Sequence, residues 1–537
     1  MAHQPKLEDD LIERDGQLKP RHKHIPEDER PFKRLPSVPD DAITRRAGIH
    51  ALEVYTPRHA VKATELEKAH GVDGKYTQGL MMQEFAGPGE DEDPVSLALT
   101  SVSRLLWRYR VKHAEVGMLY VGSESLLDRA KSIKSGVMSL FEEHGHYDVE
   151  GGDTYNACYG GTAALLNVTN WVTSWAWDGR WGIAVATDIA DAPAAYRFMC
   201  GASCVAMLVG VDAPLYFQRE RQTHILHRWD FYKPIGWPTM APVVDGPGSI
   251  DVYYECLDAC QEGLQAKTGI YNIVDEHSYM LYHLGSGPKF VKHAFERTCA
   301  NSWGYTAPKN GRLKKYDGHL RLGRVEKMFN DKVCPGLRLA KRIGPMHTAA
   351  TYTNMTSLLI HKNKDLVGKT INIFSYGSGC ASTMFRLGVQ ELPGYLEHYH
   401  DYLDSRDYHD PATFDTIMGQ YANTYGRFGW VARVDTKQRG GVFYLHECDA
   451  VGRRTYHLVA DPEIKLSGPL VCAPIPRTKE QQAFDKEAMK PRPVDDDEEE
   501  KADAKAPPAA PPPAAGGNQN EALAGLLQLL AQAQQQQ

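Results

Sequence analysis

Residues 151–177 read GGDTYNACYGGTAALLNVTNWVTSWAW, and residues 180–187 follow as RWGIAVAT. The first stretch runs from a polar turn through one cysteine, Cys158, and two glycines into a long apolar segment with helical character. The second is a short apolar run halted by polar residues, the pattern of a buried strand. A helix leading into a buried strand is the unit from which α/β folds are built. Outward from this unit the alternation continues. VGMLYVG (116–122), VAMLVGVDAPLYF (205–217) and TINIFSYGSG (370–379) read as further buried strands. VSLALTSVSRLLWRYRV (95–111), SIDVYYECLDACQEGLQAKTG (249–269) and HTAATYTNMTSLLIHK (347–362) read as helices. The fold class is therefore α/β, with functional loops expected at the carboxyl ends of the strands.

Composition narrows the function. The chain has 537 residues, 42% of them hydrophobic, enough to fill a sizeable core. A formal net charge of -7 offers no general attraction to nucleic acid. No apolar run approaches the roughly 20 residues that cross a bilayer, so no membrane partner is expected. The first residues lack an apolar signal core, and their many acids argue against a mitochondrial presequence. The expected compartment is cytoplasmic. Ten cysteines in so long a chain do not make a disulfide scaffold. Cys200 with Cys204, and Cys256 with Cys260, lack the converging second pair that zinc needs, so no metal is expected.

Three zones separate by composition. Residues 1–46 are polar and proline-punctuated, an expected disordered arm. Residues 47–477 carry sustained apolar periodicity. Residues 478–517 form an acidic, then Pro/Ala-rich linker unable to bury enough surface to fold. Residues 518–537 place Leu523, Leu526, Leu527 and Leu530 on one helical face that could dock on a protein partner.

Within the middle zone, chemistry-bearing residues gather at strand ends. Cys158 sits before a helix, where the macrodipole and unsatisfied N–H groups favour thiolate over thiol. Unpaired cysteines are nevertheless among the most buried residues, so the residues alone leave Cys158 open between nucleophile and core. In GMLYVGSESLLDRAKSIK a strand ends at Gly122, and Glu124 and Asp128 follow. A carboxylate beside apolar strand ends is expected to have a raised pKa suited to general acid/base work. Asp128 taken alone reads better as a loop acid or cap. SYMLYHLGSGPKFVKHAFERTC delivers His283 into a glycine loop before a basic helix with Lys289, a setting that suits an anionic ligand. FSYGSGC, 374–380, ends a strand in small residues whose N–H groups could face a reacting oxygen. Nucleophile, acid/base and polarising group together are the parts for acyl transfer through a thioester.

The motif NACYGGTAA around Cys158 resembles the nucleophile segment of 3-hydroxy-3-methylglutaryl-CoA synthases, condensing enzymes of the thiolase superfamily. GIHALEVYTPRHAV, VGSESLLDRAKSIK, WDGRWGIAVATDIA, HRWDFYKP, PVVDGPGSI and INIFSYGSG resemble other family segments in order. The resemblance implies a thiolase-like layered αβαβα fold of two related halves, about 47–220 and 221–477, working as a homodimer. It implies that acetyl-CoA acetylates Cys158, that Glu124 removes a methyl proton, and that His283 orients the acceptor, acetoacetyl-CoA. It implies an oxyanion hole from the N–H groups of Cys158 and Ser378, with Tyr159, Asp128, Asp188, Asp230 and Phe231 at further site positions. Lys289 is the expected contact for CoA phosphates. No cofactor is implied, since CoA thioesters are the substrates.

Three segments depart from the family pattern. YRFMCGAS places Met199 where the family has threonine, and HLGSGPK has one residue more between His283 and Lys289. GPMHT places Pro345 for an asparagine and His347 for a tyrosine. In the family these segments line the acceptor pocket. Losing hydrogen-bonding groups there would loosen or redirect recognition. Two alternatives therefore stand beside the synthase: a specialised homologue that extends a different β-ketoacyl thioester, and a non-catalytic scaffold acting through the tails.

Overall fold

Nine strands of one mixed sheet carry the chemistry in the computed structural model, which describes residues 46–236, 239–304, 322–434 and 440–460, and the backbone of 11–14 and 17–20. The chain divides into two units after Arg45. In the first, Leu11–Arg14 pairs antiparallel with Gln17–Pro20. The linker and leucine-bearing segment expected over 478–537, and most of the expected N-terminal arm, lie outside the described residues.

In the second unit the sheet strands are β1 (Gly48–Tyr55), β2 (Val116–Gly122), β3 (Asp153–Thr154), β4 (Trp181–Ala190), β5 (Gly201–Gly210), β6 (Leu215–Ile225), β7 (Tyr279–Tyr282), β8 (Thr370–Gly377) and β9 (Ala381–Val389). Their order is β7-β8-β9-β6-β1-β5-β4-β2-β3. One pairing scheme occurs twice. β1 pairs antiparallel with β5, β5 antiparallel with β4, and β4 parallel with β2. β6, β9, β8 and β7 repeat that sequence of pairings. The two copies meet where β6 joins β1 through two register pairs, Leu215 with Ile49 and Tyr216 with Gly48. This is the layered, two-half arrangement expected of a thiolase-like fold.

The helices follow from local sequence. α1 (Pro94–Arg108) starts at Asp93, whose side chain accepts from the Ser96 N–H while Ser96 Oγ accepts in return, a capping box. α2 (Gly160–Val172) packs on β4 and β2, and α1 covers β5, β1 and β4. α2 ends short of the apolar run because the Thr173 and Ser174 hydroxyls donate back to the Asn170 and Trp171 carbonyls. α3 (Gly246–Thr268) lies on β6 and β9 and turns Cys256 and Cys260 inward. There Cys256 Sγ lies 3.4 Å from Cys380 Sγ, and Cys260 Sγ 3.3 Å from Ser382 Oγ. α4 (Ala350–Lys362) is buried from Ala350 to Leu359, polar residues included, so it belongs to the interior between layers.

One strand expectation needs correction. VAMLVGVDAPLYF is not a single strand: β5 stops at Gly210 and β6 begins at Leu215. Asp212, at φ 53°, and Pro214 turn the chain between them. The apolar residues on either side hid the turn.

Two glycines let the strand ends approach the Cys158 turn. A Cβ on Gly122 would stand 2.2 Å from the Gly160 carbonyl carbon, and one on Gly377 would stand 2.3 Å from Asn156 O and 2.4 Å from Tyr159 N. Gly377→Ala is expected to cost about 1–3 kcal/mol, as overpacking does, and to dislodge the turn that carries Cys158. Urea unfolding and turnover should both change. A variant with native stability and native rate would show that this close approach is not needed.

Candidate active site

The site lies where β2, β4, β7 and β8 end, and its residues come from both halves. β2 ends at Gly122 and leads to Glu124; β7 ends at Tyr282 and leads to His283; β8 ends at Gly377 and leads to Ser378. Cys158 precedes α2, and His347 precedes α4. Both approaches are strained. Ala157, beside Cys158, has φ 43°, and His347 has φ 42°. Non-glycine residues held in this left-handed region cluster where function demands a set geometry.

Cys158 Sγ lies 3.3 Å from Glu124 Oε2 and 3.6 Å from His347 Nδ1. Glu124 Oε1 pairs with Lys233 Nζ at 2.9 Å and stands 3.6 Å from His347 Nε2. Asp188 binds this group from below. Its Oδ1 accepts from Ser123 Oγ and the Glu124 N–H, both at 2.9 Å, and from the Ser125 N–H at 3.0 Å and hydroxyl at 2.7 Å. Its Oδ2 accepts from the Thr348 N–H at 2.9 Å. One buried carboxylate thus fixes both the Glu124 loop and the His347 segment.

The electrostatics correct two expectations. Glu124 was expected to have a raised pKa. Burial does push it upward, but His347 and Lys233 outweigh burial and hold it at about 2. It is an ionised carboxylate. Cys158 was expected to be acidified by the helix start. Burial and the Glu124 and Asp188 carboxylates instead push its thiol well above the ordinary value. Cys158 therefore rests as a thiol and would ionise only by giving its proton to a neighbour. His283 is buried and lowered to about 3, burial leading and His347 adding to it. It is neutral, and its Nδ1 has no hydrogen-bond partner among the described residues.

The remaining expected residues fall into two groups. Tyr159 and Asp230 hold the site together. The Tyr159 hydroxyl shares a 2.6 Å hydrogen bond with Thr383 Oγ1 on β9. Asp230 accepts from the Tyr376 hydroxyl at 3.1 Å and the Gly379 N–H at 2.9 Å. Asn156 Nδ2 donates to Ser378 O at 3.0 Å, bringing the Ser378 loop to the cysteine turn. The Phe231 ring stands edge-on to His347, centroids 6.0 Å apart.

Others sit away from this centre. Asp128 is exposed, and its carboxylate accepts from the Ala130 and Lys131 N–H groups of its own turn, both at 2.7 Å. It is a turn acid, not a member of the Cys158 cluster. Met199 joins a satellite apolar cluster with Tyr76 and Phe198. Pro345 is buried, with its carbonyl packed against Gly201. Lys289 is half-buried, and its N–H donates to Leu80 O at 3.3 Å. His347, expected among acceptor-pocket residues, instead lies 3.6 Å from Cys158 Sγ. Lys233 was missed, although it stands two residues beyond Phe231 in HRWDFYKP; nothing in its spacing marks it as the ion-pair partner of Glu124.

Two family profiles match the chain. Hydroxymethylglutaryl-coenzyme A synthase N terminal covers residues 43–214, and Hydroxymethylglutaryl-coenzyme A synthase C terminal covers 215–317 and 314–459. A hydroxymethylglutaryl-CoA synthase of Aspergillus fumigatus is 37% identical over 459 residues, 78% of this chain and 99% of that one. The mitochondrial hydroxymethylglutaryl-CoA synthase of Rattus norvegicus is 35% identical, covering 83% and 96%. The cytoplasmic one of Gallus gallus is 36% identical, covering 79% and 89%. Among solved structures, MvaS in complex with 3-hydroxy-3-methylglutaryl coenzyme A superposes with a TM-score of 0.68 at 27% identity, covering 78% of this chain and 100% of that one.

Proposed function

The chain belongs to the hydroxymethylglutaryl-CoA synthase family, and from that premise we propose that it condenses acetyl-CoA with acetoacetyl-CoA. Acetyl-CoA acylates Cys158 and CoA leaves. The Glu124 carboxylate takes a methyl proton from the acetyl thioester, giving an enolate. That enolate attacks the ketone of acetoacetyl-CoA, whose oxygen takes up the proton. Water then cleaves the thioester, releasing 3-hydroxy-3-methylglutaryl-CoA and free Cys158. The enzyme is thus an acyltransferase that forms a carbon–carbon bond.

One observation carries this reading: the Cys158 thiol and an ionised Glu124 stand 3.3 Å apart at the junction of the two halves. A base that close to the acetylated sulfur can reach the methyl group without moving the loop. Neutral His283, with its unpartnered Nδ1, suits the acceptor carbonyl. The N–H groups of Cys158 and Ser378 are proposed to receive the oxyanion. Lys289 is proposed for the CoA phosphates. No resident cofactor is assigned a role.

A cytoplasmic homodimer is the proposed working form. Among the described residues no helix is long and apolar enough to cross a membrane. Intact-protein mass spectrometry tests the function. An acetyl adduct should form with acetyl-CoA and vanish when acetoacetyl-CoA is added, with hydroxymethylglutaryl-CoA appearing. An adduct that persists with acetoacetyl-CoA, but is consumed by a longer β-ketoacyl-CoA, would give the altered-acceptor reading instead.

A further inference from the structure

His347 stands between the sulfur of Cys158 and the carboxylate of Glu124, and a phenol in its place would not accept a proton near neutral pH. An imidazole does. Here the ring is fixed on three sides: its backbone by the Asp188 bond to the Thr348 N–H, its face by Phe231, and its two nitrogens by Cys158 and Glu124. The Nδ1 contact to Sγ, at 3.6 Å, is within hydrogen-bond reach for sulfur. The Nε2 approach to Glu124 Oε1, also 3.6 Å, is a contact of charge.

We propose that His347 is a catalytic base of this chain, taking the Cys158 proton during acetylation with Glu124 as its charge partner. The inference rests on the acyl-enzyme reading above. In the forward step the Sγ–H proton passes to His347 Nδ1. The thiolate attacks the thioester carbonyl, forming an S–C bond. The tetrahedral intermediate then breaks its bond to CoA, and the leaving sulfur recovers the proton from Nδ1. Acetyl-Cys158, neutral His347 and CoA thiol result. Glu124 stays ionised throughout, balancing the transient imidazolium through Nε2, and so is free for the methyl proton that follows. Nucleophile, base and a carboxylate beside the base form the arrangement that activates weak nucleophiles elsewhere.

The groups facing the imidazole are Cys158, Glu124, Asp188 and His283, with Lys233 behind Glu124. Two carboxylates and one ammonium thus surround the ring. A thiol raised by burial and by the Glu124 and Asp188 carboxylates must give up its proton to a neighbour before it attacks.

The test is the rate of acetyl-Cys158 formation by rapid quench across pH 5.5–9, in the full chain and in His347→Asn and His347→Tyr. Asparagine tolerates the left-handed backbone while lacking a basic nitrogen; tyrosine keeps an aromatic ring there without one. At pH 7 acetylation should slow by about 10²-fold or more in both variants. The native rate should rise with pH and level off. In the variants it should keep rising with pH towards the thiol's own ionisation. Variants that acetylate within about threefold of native, with the native profile, would overturn the proposal. Iodoacetamide alkylation of Cys158 over the same pH range separates the two failures. Absence of any acetyl adduct in the native chain would remove the acyl-enzyme reading. Alkylation would still judge His347, supporting it if the profile changes in His347→Asn and overturning it if native and variant profiles coincide.

Discussion

Cys158→Ala should yield no acetyl adduct at all, and turnover should fall by something on the order of 10⁶-fold, the scale for removing a covalent nucleophile. The prediction is sharp because, among the described residues, the other cysteines offer no substitute. Cys200, Cys204, Cys256, Cys260, Cys299, Cys380 and Cys448 are buried, and Cys334 lies on a separate helix. Sγ makes its contacts with Glu124 and His347, so its loss removes polar interactions and leaves the fold intact. Peptide mapping after incubation with acetyl-CoA checks it. Acetyl label retained on any other residue at the native rate would mean that the nucleophile is misassigned.

Glu124→Gln should separate the two halves of the reaction. The carboxylate is one of the charges that raise the Cys158 thiol, so its neutralisation makes the sulfur easier to ionise. Acetyl-Cys158 should therefore still accumulate. Removal of the methyl proton loses its base, and condensation should fall by about 10²–10⁴-fold. Exchange of acetyl hydrogens with deuterated water reads that step directly and should fall in parallel. Glutamine keeps a hydrogen-bonding partner for Lys233, which alanine would leave as an unpaired, mostly buried ammonium. Exchange at the native rate would discard Glu124 as the base.

The legible part of this molecule was its periodicity and the motif around Cys158. β2, β4 and β8 fall where apolar runs end in small or polar residues, and α1, α3 and α4 fall where helical spacing persists. Cys158, Glu124 and His283 were singled out because each closes a turn after a strand or before a helix, and the structure brings Cys158 and Glu124 within 3.3 Å. What could not be read was sign and partnership. The raised pKa expected of Glu124 followed from apolar flanks, but Lys233 and His347 arrive from segments 109 and 223 positions further along the chain and reverse it. The Cys158 expectation failed for the same reason, since the carboxylates opposing the helix start come from β4 and the loop after β2. Asp128 shows the limit of position matching: the residue is present, but its carboxylate is spent on its own turn.

The junction of the two halves has a thermodynamic consequence. In the sheet the copies share two register pairs, whereas the site draws Cys158, Glu124 and Asp188 from one copy and His283, His347 and Ser378 from the other. A thioester held across that boundary is a cross-brace. Every contact it makes with both copies opposes their separation, so its binding energy is also cohesion energy for the protein, growing with the logarithm of its concentration above Kd. Substrate supply and the integrity of the fold are in this way set by one equilibrium.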